Sequence, residues 1–236
     1  MGKEAEQKQE IVNQGVHTYS QEDSYVWPQE SVLLEQLEWF QDQKLALMVH
    51  WGVYNQLGMV ASWALSDEDA EWSRKMVDWT DDGELFKRQY RALNRAFDPV
   101  AFQPEEWAKM AKECGFRYLI LTTKHHDGFC LWDTAYTEYK TTAENCPFHT
   151  HKHADIVRAM FEAFRKEGLG IGAYFSKADW HCPDYWEKEK ALTGKTTRNP
   201  TYDPKENPEA WERFRAFTRD QILELGKQYG KLDILW

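Results

Sequence analysis

The chain has 236 residues, 42% of them apolar and 15% aromatic, and 29 basic against 39 acidic side chains leave a formal charge of −10. A chain this long buries a sizeable core, and its aromatic content offsets chain entropy, so the composition is that of a folded domain. The acidic balance argues against a nucleic acid or an anionic membrane as partner, because no Lys/Arg stripe is present to release counterions from phosphates; a neutral ligand fits better. Twelve tryptophans point to a bulky core or to sugar-stacking platforms. The longest apolar runs, such as Leu45 to Val49, span about five residues against the ~20 needed to cross a bilayer. The first ten residues, MGKEAEQKQE, carry no apolar segment, and Glu6 stands where myristoylation requires Ser or Thr. A cytoplasmic protein, or one whose export signal has been removed, is expected. Cys114, Cys130, Cys146 and Cys182 form no C-x-x-C pair and are expected as buried free thiols. Asn199-Pro200-Thr201 is not a glycosylation sequon, because Pro occupies its centre.

In chain order, a polar arm from Met1 to about Glu30 leads into one domain, with the boundary placed between residues 35 and 36. Leu45 to Val49 is a continuous apolar run, as expected for a strand buried on both faces of a parallel sheet. The segment Val53 to Gln103 far exceeds the ~2–6 residues of an ordinary βα loop and is expected to wall a pocket. Trp63, Trp72 and Trp79 lie there among many acids, most of which read as a solvated face. A helix from Pro104 to Cys114, stopped by Gly115, introduces a second strand at Tyr118 to Thr122. An amphipathic helix from Asp155 to Glu167, stopped by Gly168, precedes a third at Gly170 to Phe175. A long helix from about Pro208 to Tyr229, stopped by Gly230, precedes a fourth run at Leu232 to Trp236.

Strands alternating with helices imply parallel βαβ connections, in a doubly wound sheet or a barrel. A doubly wound fold would usually place a glycine-rich phosphate turn after its first strand, where this chain reads His50-Trp51-Gly52. The glycines at 168, 170 and 172 precede a strand instead of opening a helix, so they do not supply that turn. Polar residues follow the strand ends, as in a (β/α)₈ barrel: His50, then Lys124-His125-His126-Asp127, then Ser176, Asp179 and Trp180. Four units are half of eight, so the expected fold is α/β, the N-terminal half of a (β/α)₈ TIM-like barrel, truncated after the fourth strand.

The chemistry concentrates at those strand ends. Adjacent His125 and His126 on an extended segment point to opposite sides, which predicts one imidazole facing the pocket and one tied into the loop. Neutral imidazole both donates and accepts a hydrogen bond and so suits sugar hydroxyls. Asp127 is expected to fix tautomers or cap the loop. Tyr174 is placed either in the barrel mouth or in the core. His149, His151 and His153 alternate in a turn-like stretch with no acidic or thiol partner at metal-site spacing, and read as a solvated loop.

The stretches Leu45 to Gly58, Phe97 to Trp132, Gly168 to Trp180 and Tyr229 to Trp236 resemble the family 29 glycoside hydrolases, the α-L-fucosidases; H-W-G followed by K-H-H-D-G-F is the specific part. The resemblance covers about Leu37 to the end. It implies a (β/α)₈-like barrel followed by a β-sandwich, and hydrolysis of terminal α-L-fucose with retention, on a fucosylated oligosaccharide or glycoconjugate and with no metal or cofactor. It implies that His50, His125 and His126 bind fucose hydroxyls, that Tyr174 lines the pocket, and that Trp63 is the aromatic of the family's Glu-Trp pair. Ser62 stands where the family has that Glu, and Glu71-Trp72 is a possible substitute. The family's nucleophilic Asp falls just beyond the equivalent of Trp236, and its general acid lies in the second half of the barrel, so neither catalytic carboxyl is expected within the 236 residues. A periplasmic or extracellular location follows from the resemblance if a signal peptide has been removed. Two other readings remain open at this point: a non-catalytic fucose-binding module, and a metal-dependent barrel hydrolase using the histidines.

Overall fold

The computed structural model describes residues 28–236, and most of the expected N-terminal arm lies outside them. Contacts divide the chain into two units, Met1–Asp42 and Gln43–Trp236. The described part of the first is a helix, α1 (Ser31–Gln43), none of whose residues is buried; it spans the arm boundary expected at 35/36.

The second unit alternates strands and helices: β1 (Ala46–Val49), α2 (Ala70–Ser73), α3 (Gly83–Arg91), α4 (Pro104–Glu113), β2 (Tyr118–Lys124), α5 (Ile156–Lys166), β3 (Gly170–Phe175), α6 (Lys190–Thr193), α7 (Pro208–Gln228) and β4 (Ile234–Leu235). The four strands form one parallel sheet in the order β1-β2-β3-β4, with Leu47 opposite Leu119, Leu119 opposite Ile171 and Gly172 opposite Ile234. Consecutive parallel strands need crossovers, and the helices supply them. α4 and α7 begin with proline, whose missing N–H costs nothing at that position. The Asp155 and Asn207 side chains cap α5 and α7 by accepting from the backbone N–H of Arg158 and Ala210. Gly115, Gly168 and Gly230 follow α4, α5 and α7 at φ of 84°, 73° and 75°, left-handed values that release the chain into the next strand.

β2, with a neighbour on each side, is buried along its whole length. β1 is not the doubly buried strand expected: Leu45 lies outside it at 48% exposure and Met48 is 41% exposed. Among the described strands β1 pairs with β2 alone, which leaves its other side uncovered within these 236 residues. The fourth run likewise contributes only Ile234 and Leu235 as strand, and Trp236 is 58% exposed. Its hydrogen bonding runs further, with Asp233 N–H donating to Ile171 O, Trp236 N–H to Ala173 O and Phe175 N–H to Trp236 O. α5 buries Ile156, Val157, Met160, Phe161 and Phe164, and it packs on β2 and β3. Cys130, Cys146 and Cys182 are buried free thiols as expected, whereas Cys114, in the C-cap position of α4, is exposed.

The segment between β1 and α4 is an ordered subassembly of short helices with Leu65, Phe86 and Tyr90 in the core. Two of its acids are structural and not a solvated face. Asp67 accepts from Lys87 Nζ at 2.7 Å, Arg74 at 2.8 Å and the Thr196 N–H at 2.7 Å. Burial opposes its charge, yet the bonds from Lys87 and Thr196 prevail and hold its carboxyl at about 2. Asp69 receives the Arg198 guanidinium through two bonds, 2.6 and 2.9 Å. These ties fasten the segment to the chain near residues 196–198, on the far side of β3 in sequence.

Candidate functional site

β1, β2 and β3 end side by side, and the residues that follow or close them converge. His50 stands one residue past β1, His125 and His126 directly past β2, and Tyr174 one residue before the end of β3. Ring centres lie 5.0 Å apart for His50 and Tyr174, 5.7 Å for His50 and His125, and 4.8 Å for His125 and His126. His125 stacks on Tyr174 at 5.9 Å with an interplanar angle of 11°. Trp63, in a short 3-10 turn, closes the group at 5.5 Å from His125 and 5.2 Å from His126. The five residues singled out from the sequence therefore form one cluster. Burial grades across it, from exposed His50 to His125 at 2%.

The two adjacent imidazoles do not face opposite sides. β2 stops at Lys124, and a turn closed by the Gly128 N–H donating to His125 O at 3.1 Å follows at once, so strand alternation no longer applies. Gly128 has φ 80°, and a Cβ there would lie 2.5 Å from Asp179 Oδ1, so the turn needs glycine for both shape and space. Each imidazole is tied through Nδ1. At His125, Nδ1 meets the Ser62 hydroxyl and accepts from the Ser62 backbone N–H at 3.4 Å. At His126, Nδ1 donates to the Ala178 carbonyl at 3.0 Å, and the ring stacks on Trp180 at 4.9 Å. Ala61, just before Ser62, takes φ 51°, a left-handed conformation costing an L residue roughly 1–2 kcal/mol. Burial lowers the affinity of His50, His125 and His126 for a proton; at His126 it prevails over the Ala178 bond, and at His125 the neighbouring imidazoles add to it. All three are thereby shifted toward the neutral imidazole.

The carboxylates near the cluster are engaged elsewhere. Asp127 caps its own loop, accepting from the Phe129 N–H at 3.1 Å and the Tyr90 hydroxyl at 2.9 Å, and burial pushes its carboxyl up to about 6. No bond from Asp127 to an imidazole is seen, so of its two expected roles it takes the cap. Asp179 forms a buried ion pair with Lys124 at 2.7 Å, with side chains 2% and 0% exposed. It also accepts from the N–H groups of His181 and Cys182. Burial would raise the Asp179 carboxyl, but the Lys124 charge and hydrogen bond outweigh it and hold it below the usual range. Glu71 does not replace the missing acid beside Trp63: its side chain is 90% exposed and pairs with Lys75. Trp72 is 48% exposed and donates to Asp69, and Trp79 packs on Phe86.

His149 is exposed as expected, whereas His151 and His153 are half-buried. His149 bonds to Cys146 O, His151 stacks on Phe148 at 4.5 Å, and His153 lies 6.0 Å from Phe102. Among the described residues no group of three His, Cys, Asp or Glu side chains is disposed to hold a metal ion, and no helix is long and apolar enough to cross a membrane. A cleft of about 780 Å³ lies beside α7, lined in part by Lys177, Trp211 and Ile222, and contains none of the five clustered residues. Three further neighbours of the cluster were not singled out from the sequence. Trp180 supports His126, Tyr54 lies 5.9 Å from His125, and the Arg198 guanidinium sits 4.6 Å from the Trp63 ring centre. Trp180 follows a strand end and was visible as such; Arg198 comes from a loop 135 positions beyond Trp63, which no local pattern connects to it.

The family model described as alpha-L-fucosidase matches residues 12–236. The chain belongs to the alpha-L-fucosidase family. Among curated relatives, the tissue alpha-L-fucosidase of Rattus norvegicus is 29% identical over 189 residues, which cover 80% of this chain and 39% of the rat protein. A family 29 alpha-L-fucosidase structure from Bacteroides thetaiotaomicron superposes with TM-score 0.66 at 30% identity, covering 90% of this chain and 42% of the other. Alpha-L-fucosidase AlfC of Lactobacillus casei, solved in complex with Fuca(1,6)GlcNAc, gives TM-score 0.64 at 30% identity over 86% of this chain and 60% of its own. The chain thus spans between 22% and 41% of the length of these curated relatives. The family membership agrees with the resemblance read from H-W-G and K-H-H-D-G-F.

Proposed function

We propose that the 236 residues are the N-terminal half of the (β/α)₈ barrel of a retaining exo-α-L-fucosidase. On this reading the cluster is the pocket for terminal α-L-fucose of an oligosaccharide or glycoconjugate. The observation that carries it is the convergence of His50, His125, His126, Tyr174 and Trp63 at the ends of three adjacent parallel strands in a member of this family. Enzymes on parallel barrels build their sites at that end. Neutral imidazoles suit hydroxyls, and an indole suits the apolar face of a sugar.

Retention requires two carboxyls ~5–5.5 Å apart, one attacking the anomeric carbon and one protonating the leaving oxygen. Asp127 and Asp179, the acids nearest the cluster in sequence, are committed to a loop cap and to Lys124. On the family resemblance, the nucleophile and the acid/base are assigned to residues of the full-length protein outside these 236. There the nucleophile forms a fucosyl ester and water releases α-L-fucose; no step calls for a metal or cofactor. Proton NMR of an aryl α-L-fucoside treated with the full-length protein tests this. The α-anomer of fucose should appear first. Initial formation of the β-anomer refutes retention, and absence of turnover refutes the activity.

A further inference from the structure

The hydrogen bonds behind His125 and His126 set the proton on opposite nitrogens of the two rings. A backbone N–H can only donate, so the Ser62 N–H at 3.4 Å from His125 Nδ1 requires that nitrogen to be unprotonated. The Ser62 hydroxyl, on the same nitrogen, is then itself a donor. With Nδ1 occupied by two donors, the single proton of the neutral ring sits on Nε2. At His126 the partner is a carbonyl, which can only accept, so Nδ1 of that ring carries the proton and Nε2 is bare. Ring centres 4.8 Å apart put a donating Nε2–H and an accepting Nε2 within the span of one sugar.

We propose that Ser62 is a positioning residue that holds His125 as the Nε2–H tautomer, so that His125 donates to one hydroxyl oxygen of the bound sugar while His126 accepts from another hydroxyl. This rests on the sugar-pocket reading above and adds the polarity of each contact. Three features tie Ser62 to that task. It is fully buried. Its position is set by the left-handed Ala61 before it and the 3-10 turn carrying Trp63 after it. Its hydroxyl has the His125 nitrogen as its hydrogen-bond partner. A carboxylate at this position would do the reverse, because an acceptor facing Nδ1 draws the proton onto Nδ1 and leaves Nε2 bare. Ser62 thereby gives His125 a polarity opposite to that of its neighbour, and the pair is matched to two hydroxyls of which one accepts and one donates.

The test is two-bond ¹H–¹⁵N correlation NMR on the ligand-free full-length protein labelled at histidine nitrogen, with signals assigned by difference using His125→Gln and His126→Gln. His125 should show the Nε2–H pattern and His126 the Nδ1–H pattern. An Nδ1–H pattern at His125 overturns the proposal without any substitution at Ser62, whatever the enzyme does with a fucoside. Conversely, correct tautomers in a protein that does not hydrolyse aryl fucosides leave the proton placement standing and sink the sugar-pocket reading. Ser62→Asp should move the His125 proton onto Nδ1, and an unchanged His125 pattern in that folded variant refutes control by residue 62. For turnover, Ser62→Ala should raise KM about tenfold with a smaller effect on kcat, the scale of one buried hydrogen bond, and Ser62→Thr, which keeps the hydroxyl, should restore it. Ser62→Ala keeps the backbone donor, so wild-type KM in that variant refutes a positioning role for the Ser62 hydroxyl.

Discussion

Replacing Asp179 by Asn is the substitution whose cost follows most directly from the structure. The Lys124 ammonium lies 2.7 Å from Asp179 Oδ2, with both side chains at 2% exposure or less. Asn keeps the Oδ1 acceptor for the His181 and Cys182 N–H groups at 2.9 and 2.8 Å, so the change removes the charge and not the turn. Lys124 would retain Gln221 Oε1 at 3.1 Å and the Phe175 face at 4.4 Å, neither of which neutralises it. Breaking one side of a buried pair costs roughly 3–5 kcal/mol. A ceiling comes from the escape route of shedding the proton: for an ordinary lysine that costs about 4.6 kcal/mol at pH 7 and about 1.9 kcal/mol at pH 9. The expected loss is therefore about 3 to 4.6 kcal/mol at pH 7, shrinking to about 2 kcal/mol at pH 9. Urea unfolding of the full-length protein, followed by the fluorescence of tryptophans such as buried Trp180 and Trp186, reads it at the two pH values. Adding Lys124→Met should recover most of the loss, because no charge is then left buried. A loss under about 1 kcal/mol at pH 7, or one that does not shrink with pH, refutes this account of the pair.

Three other outcomes are expected. Burial raises Asp127 to about 6 from an ordinary 3.8, so its contribution to stability is complete below about pH 4 and is lost as pH rises through about 6; Asp127→Asn should flatten the stability profile across that window in urea titrations. His125→Ala and His126→Ala should each cost roughly 2–4 kcal/mol in kcat/KM on an aryl α-L-fucoside, while His149→Ala leaves it unchanged; full activity in both strand-end variants would overturn the pocket assignment. Gly128→Ala, with φ 80° and a Cβ 2.5 Å from Asp179 Oδ1, should destabilise by roughly 1–3 kcal/mol in thermal unfolding, and wild-type stability would show that the turn tolerates a side chain.

Much of this was legible in the sequence because it is local. Helix starts at Pro104, Asp155 and about Pro208, and stops at Gly115, Gly168 and Gly230, each depend on a few neighbouring residues. The runs at 118–122 and 170–175 are strands for the same reason, and motifs placed just past strand ends converge once the strands lie parallel and adjacent. What the tertiary structure decided is pairwise and distant. Leu45 and Met48 look as apolar as Leu119 and Leu121, but only the sheet order shows that β2 lies between two strands of these 236 residues while β1 has one neighbour among them. His125 and His126 share one cluster because a turn begins where β2 ends, which cancels the alternation of a strand. The acids of the long segment after β1 read alike along the chain, yet Asp67 and Asp69 are drawn in by Thr196 and Arg198, about 130 positions away. Asp179 is one of the polar residues past a strand end, and only the structure shows that Lys124, 55 residues earlier, occupies it. Residue type tells which groups can donate, accept or carry charge; which of them are already satisfied depends on partners that only the folded chain brings within 3 Å.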